Sequence, residues 1–568
     1  MPALARIRWC PRAPPSASSH RYHPPVSRWA AIAILASAQF VMVLDSSVMN
    51  VSITQIAADL GTTIQGVQLA ITAYTLVMAA FMLVGAKLGD IWGRDRAFAI
   101  GLAVYGAGSL TTAISPNLAV LLFGWSLVEG LGAVLVVPAI AALIAANYEG
   151  KERALAYALI GGVAAAAVAA GPLIGGYVTS TFTWRLVFVG EVVIVVVILL
   201  FRRRMKPAPR AERPPRLDLV GAALSASGFA LIVLAILQSS TWGWIAPTDP
   251  PVIAGREITP LGFSVVPFLI LIGLGFLAAL STWEERRERL GQDALVDLGM
   301  LRIPTLRAGV TTLGAQQLVL MGTFFVLPVY LQVVLGLDAF ETGKKLFPLS
   351  VSMLVAALLG PRLAARRSPK RVAQMGLLGL AIGATVLVAT VDVELNEAGF
   401  ALALVIFGVG AGLLASQLGN VILSSVDQSR SSEAGGLQGT AQNLGASLGT
   451  ALIGSILLTG LTVGFTERVT ANPDLPPEVS QAVTDVVDAE GVDIIPVEQA
   501  EDLLIDAGLP PDQAVAVADD YGAAQLDGLR RALGAVAVFA LLAFWFTRKL
   551  PGHSGGRRGR GRGHGRGV

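Results

Sequence analysis

Three carboxylates stand inside long apolar stretches of this chain: Asp45, Glu129 and Glu191. An ionisable group in a hydrocarbon setting is expensive to keep, so each is a functional candidate by default. Burial shifts the proton equilibrium of a carboxyl, and the chemistry open to such a group is reversible proton binding. Other chemistries lack their residues. All four His (His20, His23, His553, His564) and the one Cys, Cys10, lie near the chain ends. A catalytic His, a His-ligated metal, a cysteine cluster and an intrachain disulfide are therefore not expected in the apolar part. Gly343-Lys344-Lys345 lacks the upstream Gly and the closing Ser/Thr of a phosphate loop, so ATP is not the energy source. The expectation is a protein that is not an enzyme and uses no cofactor and no metal.

The elements that must hold these carboxylates follow from composition. Of 568 residues, 54% are hydrophobic and only 14% charged, against about 25% charged in soluble domains. Too few charges remain to cover a water-facing surface. Fourteen apolar runs are long enough to cross about 30 Å of hydrocarbon as helices: 29–51, 66–88, 97–115, 118–145, 154–178, 184–201, 217–238, 264–283, 308–335, 340–363, 371–391, 398–424, 435–462 and 527–547. The predicted class is an all-α polytopic membrane protein. Lys and Arg concentrate on one side, most clearly in Arg202, Arg203, Arg204, Lys206, Arg210, Arg213 and Arg216, which places both termini in the cytoplasm. Counted from the outer ends of their runs, Asp45 lies about 9 Å deep, Glu191 about 10 Å and Glu129 about 16 Å. Asp45 and Glu191 are thus expected at one level, with Glu129 below.

Five motifs occur in order. Leu44-Asp45-Ser46-Ser47-Val48-Met49-Asn50-Val51 lies in the first run. Ala86-Lys87-Leu88-Gly89-Asp90-Ile91-Trp92-Gly93-Arg94-Asp95-Arg96 joins the second and third. Glu129-Gly130-Leu131-Gly132-Ala133, then Pro138, lies in the fourth. Ala167 through Gly176, containing Gly171-Pro172-Leu173-Ile174-Gly175-Gly176, lies in the fifth, and Trp184-Arg185 with Phe188 opens the sixth. Over residues 28–550 the chain resembles the major facilitator superfamily, and within it the fourteen-helix drug:proton antiporters. The resemblance implies two six-helix bundles about a central cavity, an inserted helix pair, and alternating access by rocking of the halves.

Proton coupling is expected at Asp45, with Glu129 and Glu191, buried acids that depart from the family's pattern, taking over part of it; on the resemblance Asp90, Gly93 and Arg94 form a gating loop, and Gly171, Pro172, Gly175 and Gly176 mark an exporter. Departures from the pattern are informative. The family's Arg in the fourth run is here Ser126, Glu129 stands where Gln is common, Glu191 replaces the usual Asn, and Asp95 replaces a basic residue. Glu191 has a plainer reading as a structural hydrogen-bonding group or a partner of Arg185. Gly161, Gly162, Gly171, Gly175 and Gly176 suit a sliding contact between bundles, and also plain close packing. Lys344 and Lys345 are expected to snorkel to the surface, with a cavity-facing Lys345 as the other choice. Gly360-Pro361-Arg362-Leu363 and Gly445-Ala446-Ser447-Leu448-Gly449 read as a degenerate repeat of the second-run loop and the fifth-run glycines.

The expected organisation is a disordered cytoplasmic tail (1–27), an N-terminal bundle (28–201), a linker with the inserted helices (202–285), a C-terminal bundle (286–464 with 527–550), an extracytoplasmic acidic loop (465–526) and a basic cytoplasmic tail (551–568). The loop carries fourteen acidic residues and the single Arg468. Val479–Val487, Val497–Ala507 and Gln513–Asp520 read as short amphipathic helices there. The loop is expected to form a small external cap; screening of substrates, docking of a partner and simple solvation are all open to it, solvation being favoured. The tail GRRGRGRGHGRG reads as a solvated like-charge block, with no nucleic acid expected. Arg outnumbers Lys 35 to 7, a GC-rich bacterial bias that points to a plasma membrane. The function expected is export of small hydrophobic molecules against protons by a monomer in the lipid bilayer. A lipid or cell-envelope exporter and a non-transporting sensor of the same fold are the alternatives.

Overall fold

The computed structural model describes residues 28–148, 150–202, 205, 216–253, 255–295, 297–426 and 430–552. The tail expected over 1–27, linker residues 206–215 and the basic residues 553–568 lie outside the described residues.

A helix lies over each apolar run. The first group is α1 (Arg28–Val51), α2 (Ile64–Trp92), α3 (Arg94–Ala113), α4 (Leu118–Leu121, then a π-helical stretch Leu122–Glu129, then Gly130–Asn147), α5 (Gly150–Thr181) and α6 (Arg185–Phe201). The inserted pair is α7 (Leu219–Leu237) and α8 (Val266–Arg289). The second group is α9 (Pro304–Val334), α10 (Ala339–Arg366), α11 (Pro369–Thr390), α12 (Glu397–Ser424), α13 (Ser431–Ala471) and α14 (Pro511–Phe544). Among the described residues twelve helices, not fourteen, are long and apolar enough to cross a membrane. The two below that measure are α3, which opens on Arg94-Asp95-Arg96, and α6, with 17 residues. A two-residue antiparallel ribbon pairs Val252 with Glu257 and Ile253 with Arg256, a small departure from an all-α chain.

Small residues set the helix spacing. A Cβ at Gly108 of α3 would lie 2.6 Å from the Glu129 Cβ on α4, so only glycine lets these backbones approach so closely. The two groups repeat one packing rule. Gly171 and Gly175 of α5 face Ser47 and Val48 of α1, while Gly445 and Gly449 of α13 face Gly314 and Leu318 of α9. The groups meet along α2 with α13 and α5 with α10. Gln68 donates to the Thr450 carbonyl at 2.9 Å, and Ser447 to that of Thr72 at 3.1 Å. Helix α7 packs on α2 and α13, with α8 packed on α7, and Ser239 bonds Ser455 at 2.7 Å.

The acidic loop folds into a small cap with a buried core of its own. Two of its expected short helices are present, as Pro477–Glu490 and Val497–Asp506. The third does not exist separately, because no helix breaker follows Pro511 and α14 runs unbroken for 34 residues. With the 41-residue α13 it raises a cap. Val469, Leu475, Val487, Ile494, Val517 and Tyr521 are buried within it. Tyr521 meets Phe465 edge-on at 5.5 Å and donates to the Asp493 carbonyl at 2.6 Å. The face bearing this structure is called the cap face below.

Candidate functional site

Asp45, Glu129 and Glu191 converge. One carboxylate oxygen from each lies within 4.8 Å of the others, and the residues are 0%, 0% and 1% exposed. The two-level arrangement expected from helix rise does not hold for the side chains, since one oxygen of Glu129 reaches the other two. The π-helical stretch, which ends at Glu129, adds a residue to the local turn and changes the direction its side chains take.

Four further residues build the site. Trp125, one α-turn before Glu129, donates its indole N–H to Asp45 Oδ1 and Oδ2 at 2.9 and 3.0 Å. Tyr74 of α2 stacks on that indole, with centroids 4.8 Å apart and planes 2° from parallel. Ser109 of α3 lies 2.9 Å from Glu129 Oε2 and 3.1 Å from Glu191 Oε2. Tyr105, one turn earlier, donates to Glu191 Oε2 at 3.2 Å. Oε1 of Glu129 and Oε1 of Glu191 are buried without a hydrogen-bond partner among the described residues. Sequence reading missed these four. The available signal was spacing: Tyr105 and Ser109, like Trp125 and Glu129, sit four apart on one helix face. Glu191 does not pair with Arg185. That side chain forms an ion pair with Asp59, donates to the Ser115 carbonyl at 3.0 Å and covers the Trp184 ring at 4.5 Å. Ser126 donates to the Ala70 carbonyl at 2.8 Å, so its place is filled by a bond between α4 and α2.

Three oxygens within 4.8 Å of one another leave a central point about 2.8 Å or less from each, by the geometry of a triangle with that edge. An all-oxygen set suits protons or a hard cation rather than zinc or copper.

The α2–α3 loop holds Asp90, Gly93 and Arg94. Asp90 and Arg94 form an ion pair, and Arg94 also donates to the Ala86 carbonyl at 3.1 Å. Gly93 has φ +92°, a value side-chain-bearing residues rarely adopt, and it turns the chain directly from one helix into the next. Asp95 pairs with Arg202 at 3.3 Å, tying α3 to the end of α6.

The α5 motif divides between two neighbours. Gly171 and Gly175 pack on α1, whereas Gly176 faces the backbone of Ala339 and Phe340, and the Pro172 carbonyl faces Gly343 of α10. Ser180 accepts from the Phe340 N–H at 3.1 Å, and Gln332 donates to the Val51 carbonyl at 2.7 Å. The two groups are thus closed together on the cap face. Farther along α5, a Cβ at Gly161 or Gly162 would meet nothing within 4 Å. Lys345 pairs with Glu397 at 2.6 Å, and Lys344 lies over the Phe340 ring at 5.0 Å. Of the polar residues on the second group, Gln316 donates to the Ala411 carbonyl at 3.4 Å and Asn443 to its own helix at Gly439.

The family model for the Major Facilitator Superfamily matches residues 35–450, a range that contains every residue of this site. The chain belongs to the Major Facilitator Superfamily. It is 26% identical over 526 residues to the tetracenomycin C resistance and export protein of Streptomyces glaucescens, covering 92% of each chain. Over 445 residues it is 28% identical to a probable actinorhodin transporter of Streptomyces coelicolor, covering 76% of this chain and 73% of that one. The solved structure of a bacterial homologue of the human lysosomal transporter Spinster, inward-facing and unoccupied, matches with TM-score 0.58 at 15% identity, covering 93% and 98%. That likeness is one of fold. The superfamily and these relatives make the chain a multi-pass membrane protein of the transporter kind.

Proposed function

We propose that this transporter exports small, largely hydrophobic molecules across a bacterial plasma membrane in exchange for protons, as a monomer with both termini in the cytoplasm. The observation that carries the reading is the buried carboxylate triad. At separations of up to 4.8 Å, two ionised carboxylates repel by about 3.5 kcal/mol at an effective dielectric constant of about 20. No Lys or Arg is paired with any of the three among the described residues. Protons are the simplest neutralising agents there.

Hydrogen-bond accounting favours the same reading. Ser109 has one O–H to donate, yet it bridges oxygens of Glu129 and Glu191. The second contact is favourable only if a carboxyl donates back to the hydroxyl. One proton shared between Glu129 and Glu191 satisfies both.

The energetics suffice. One charge moving through 100 mV supplies about 2.3 kcal/mol, and one pH unit about 1.4 kcal/mol. In the proposed cycle, substrate enters from the cytoplasm while the cap-face contact of α5 with α10 is closed. That contact then opens as the Asp90–Arg94 loop closes the opposite face, and external protons load the triad as substrate leaves. The activities of the relatives, tetracenomycin C resistance and export in one and probable actinorhodin transport in another, support the substrate class. The test is Glu129→Gln in inside-out vesicles. Loss of pH-driven substrate accumulation with substrate counterflow retained is expected, and unchanged pH-driven accumulation rejects the carrier role.

A further inference from the structure

An open cleft of about 240 Å³ lies on the flank of the second group, lined by Trp244, Ile456, Thr459, Gly460, Val463 and Arg531. Each of its polar side chains carries a donor. Arg531 is exposed and has no carboxylate partner among the described residues, whereas its neighbours Arg530 and Arg468 both pair with Asp527. Thr459 Oγ1 is buried with no hydrogen-bond partner among the described residues. Gly460 lets α13 and α14 approach beside this arginine: a Cβ there would lie 3.2 Å from Gly528 Cα and 3.3 Å from Arg531 Cδ, so the arginine stem rests close on α13. Ile456 and Val463, seven residues apart on α13, supply an apolar strip beside these donors.

Depth identifies the occupant. From Arg531, α14 and its 3₁₀ continuation Trp545–Lys549 carry the chain about 30 Å. Arg548 and Lys549 mark one edge of a hydrocarbon layer of about that thickness, so Arg531 marks the other. Trp244 sits at the same level, in the belt where indoles prefer to lie. A guanidinium, a hydroxyl and an indole N–H converging at a membrane edge match a phosphate oxygen set, and Ile456, one turn deeper on α13, matches an acyl chain.

We propose that this cleft binds an anionic phospholipid of the cap-side leaflet, with Arg531 and Thr459 on the phosphate and the acyl chain along Ile456. The site is separate from the carboxylate triad and does not depend on proton coupling. The experiment is native mass spectrometry of the full chain, delipidated in mild detergent and titrated with phosphatidylglycerol, phosphatidylcholine or inorganic phosphate. The wild type takes up one phosphatidylglycerol preferentially. Arg531→Gln weakens that event about tenfold and Thr459→Val about threefold. Arg362→Gln, on the opposite face, leaves it unchanged. Folded variants are verified by an unaltered melting temperature, and Arg531→Lys keeps partial binding should Arg531→Gln unfold. Retention of phosphatidylglycerol by folded Arg531→Gln within twofold of wild type overturns the proposal. Equal uptake of phosphatidylcholine overturns it too, as does full displacement by inorganic phosphate at equal concentration.

Discussion

Gly176→Ala is expected to push the two helix groups apart on the cap face. A Cβ at this position would stand 2.8 Å from the Ala339 carbonyl carbon and 2.9 Å from Phe340 Cα. Both are backbone atoms, so no side chain can rotate away. Overpacking of this kind costs about 1–3 kcal/mol. Charged entirely to the cap-closed state, that cost changes the ratio of closed to open molecules roughly 5- to 150-fold. The chain has one native cysteine, Cys10, and Cys10→Ser provides a clean background for two spin labels. Phe182→Cys, between α5 and α6, and Val393→Cys, between α11 and α12, are exposed and lie on opposite groups. Electron–electron resonance then reads their separation. Gly176→Ala should enrich the longer distance, whereas Gly162→Ala, whose new methyl meets nothing within 4 Å, should not. A distance distribution for folded Gly176→Ala that overlays both wild type and Gly162→Ala would refute the assignment of this contact as a closing surface.

Other outcomes follow from single contacts. Trp125→Phe keeps a ring against Tyr74 but removes both indole hydrogen bonds to Asp45, at a cost of about 1–3 kcal/mol read as a lower melting temperature in detergent. Gly93→Ala places a methyl at φ +92° and should destabilise by about 1–3 kcal/mol, whereas Asp95→Asn, which breaks a partly exposed pair with Arg202, should cost less than about 1 kcal/mol. In the cap, burial holds the Asp493 carboxyl above its ordinary 3.8, with a bond from Gln65 opposing that shift. A carboxyl whose folded value is raised weakens its surroundings once ionised, so the docking of the Val492–Ile495 segment should be firm at acidic pH and loosen as pH rises through the raised value. Hydrogen exchange at those amides measures this, and Asp493→Asn should abolish the pH dependence.

The membrane class, the helix over each apolar run and the three candidate carboxylates were legible from the chain alone. Runs of apolar residues leave a backbone in hydrocarbon no choice but helix, and a lone acid in such a run stands out whatever surrounds it. Gly93 entered only through the resemblance; that it turns one helix directly into the next at φ +92° is read from the structure. Other features depend on which faces of separate helices meet. Helix rise put Asp45 and Glu191 at one level and Glu129 below them, yet side-chain reach brought an oxygen of each within 4.8 Å of the others. Ser109, Tyr105 and Trp125 became visible only when α3, α4 and α1 were packed, since each is unremarkable in its own run and acquires meaning from a partner 80 or more residues away, or, for Ser109 and Glu129, 20. The same holds for the division of the α5 glycines between α1 and α10, and for the core of the cap. Sequence fixes what each segment must bury, and only the packing of segments against one another decides which buried groups share a site.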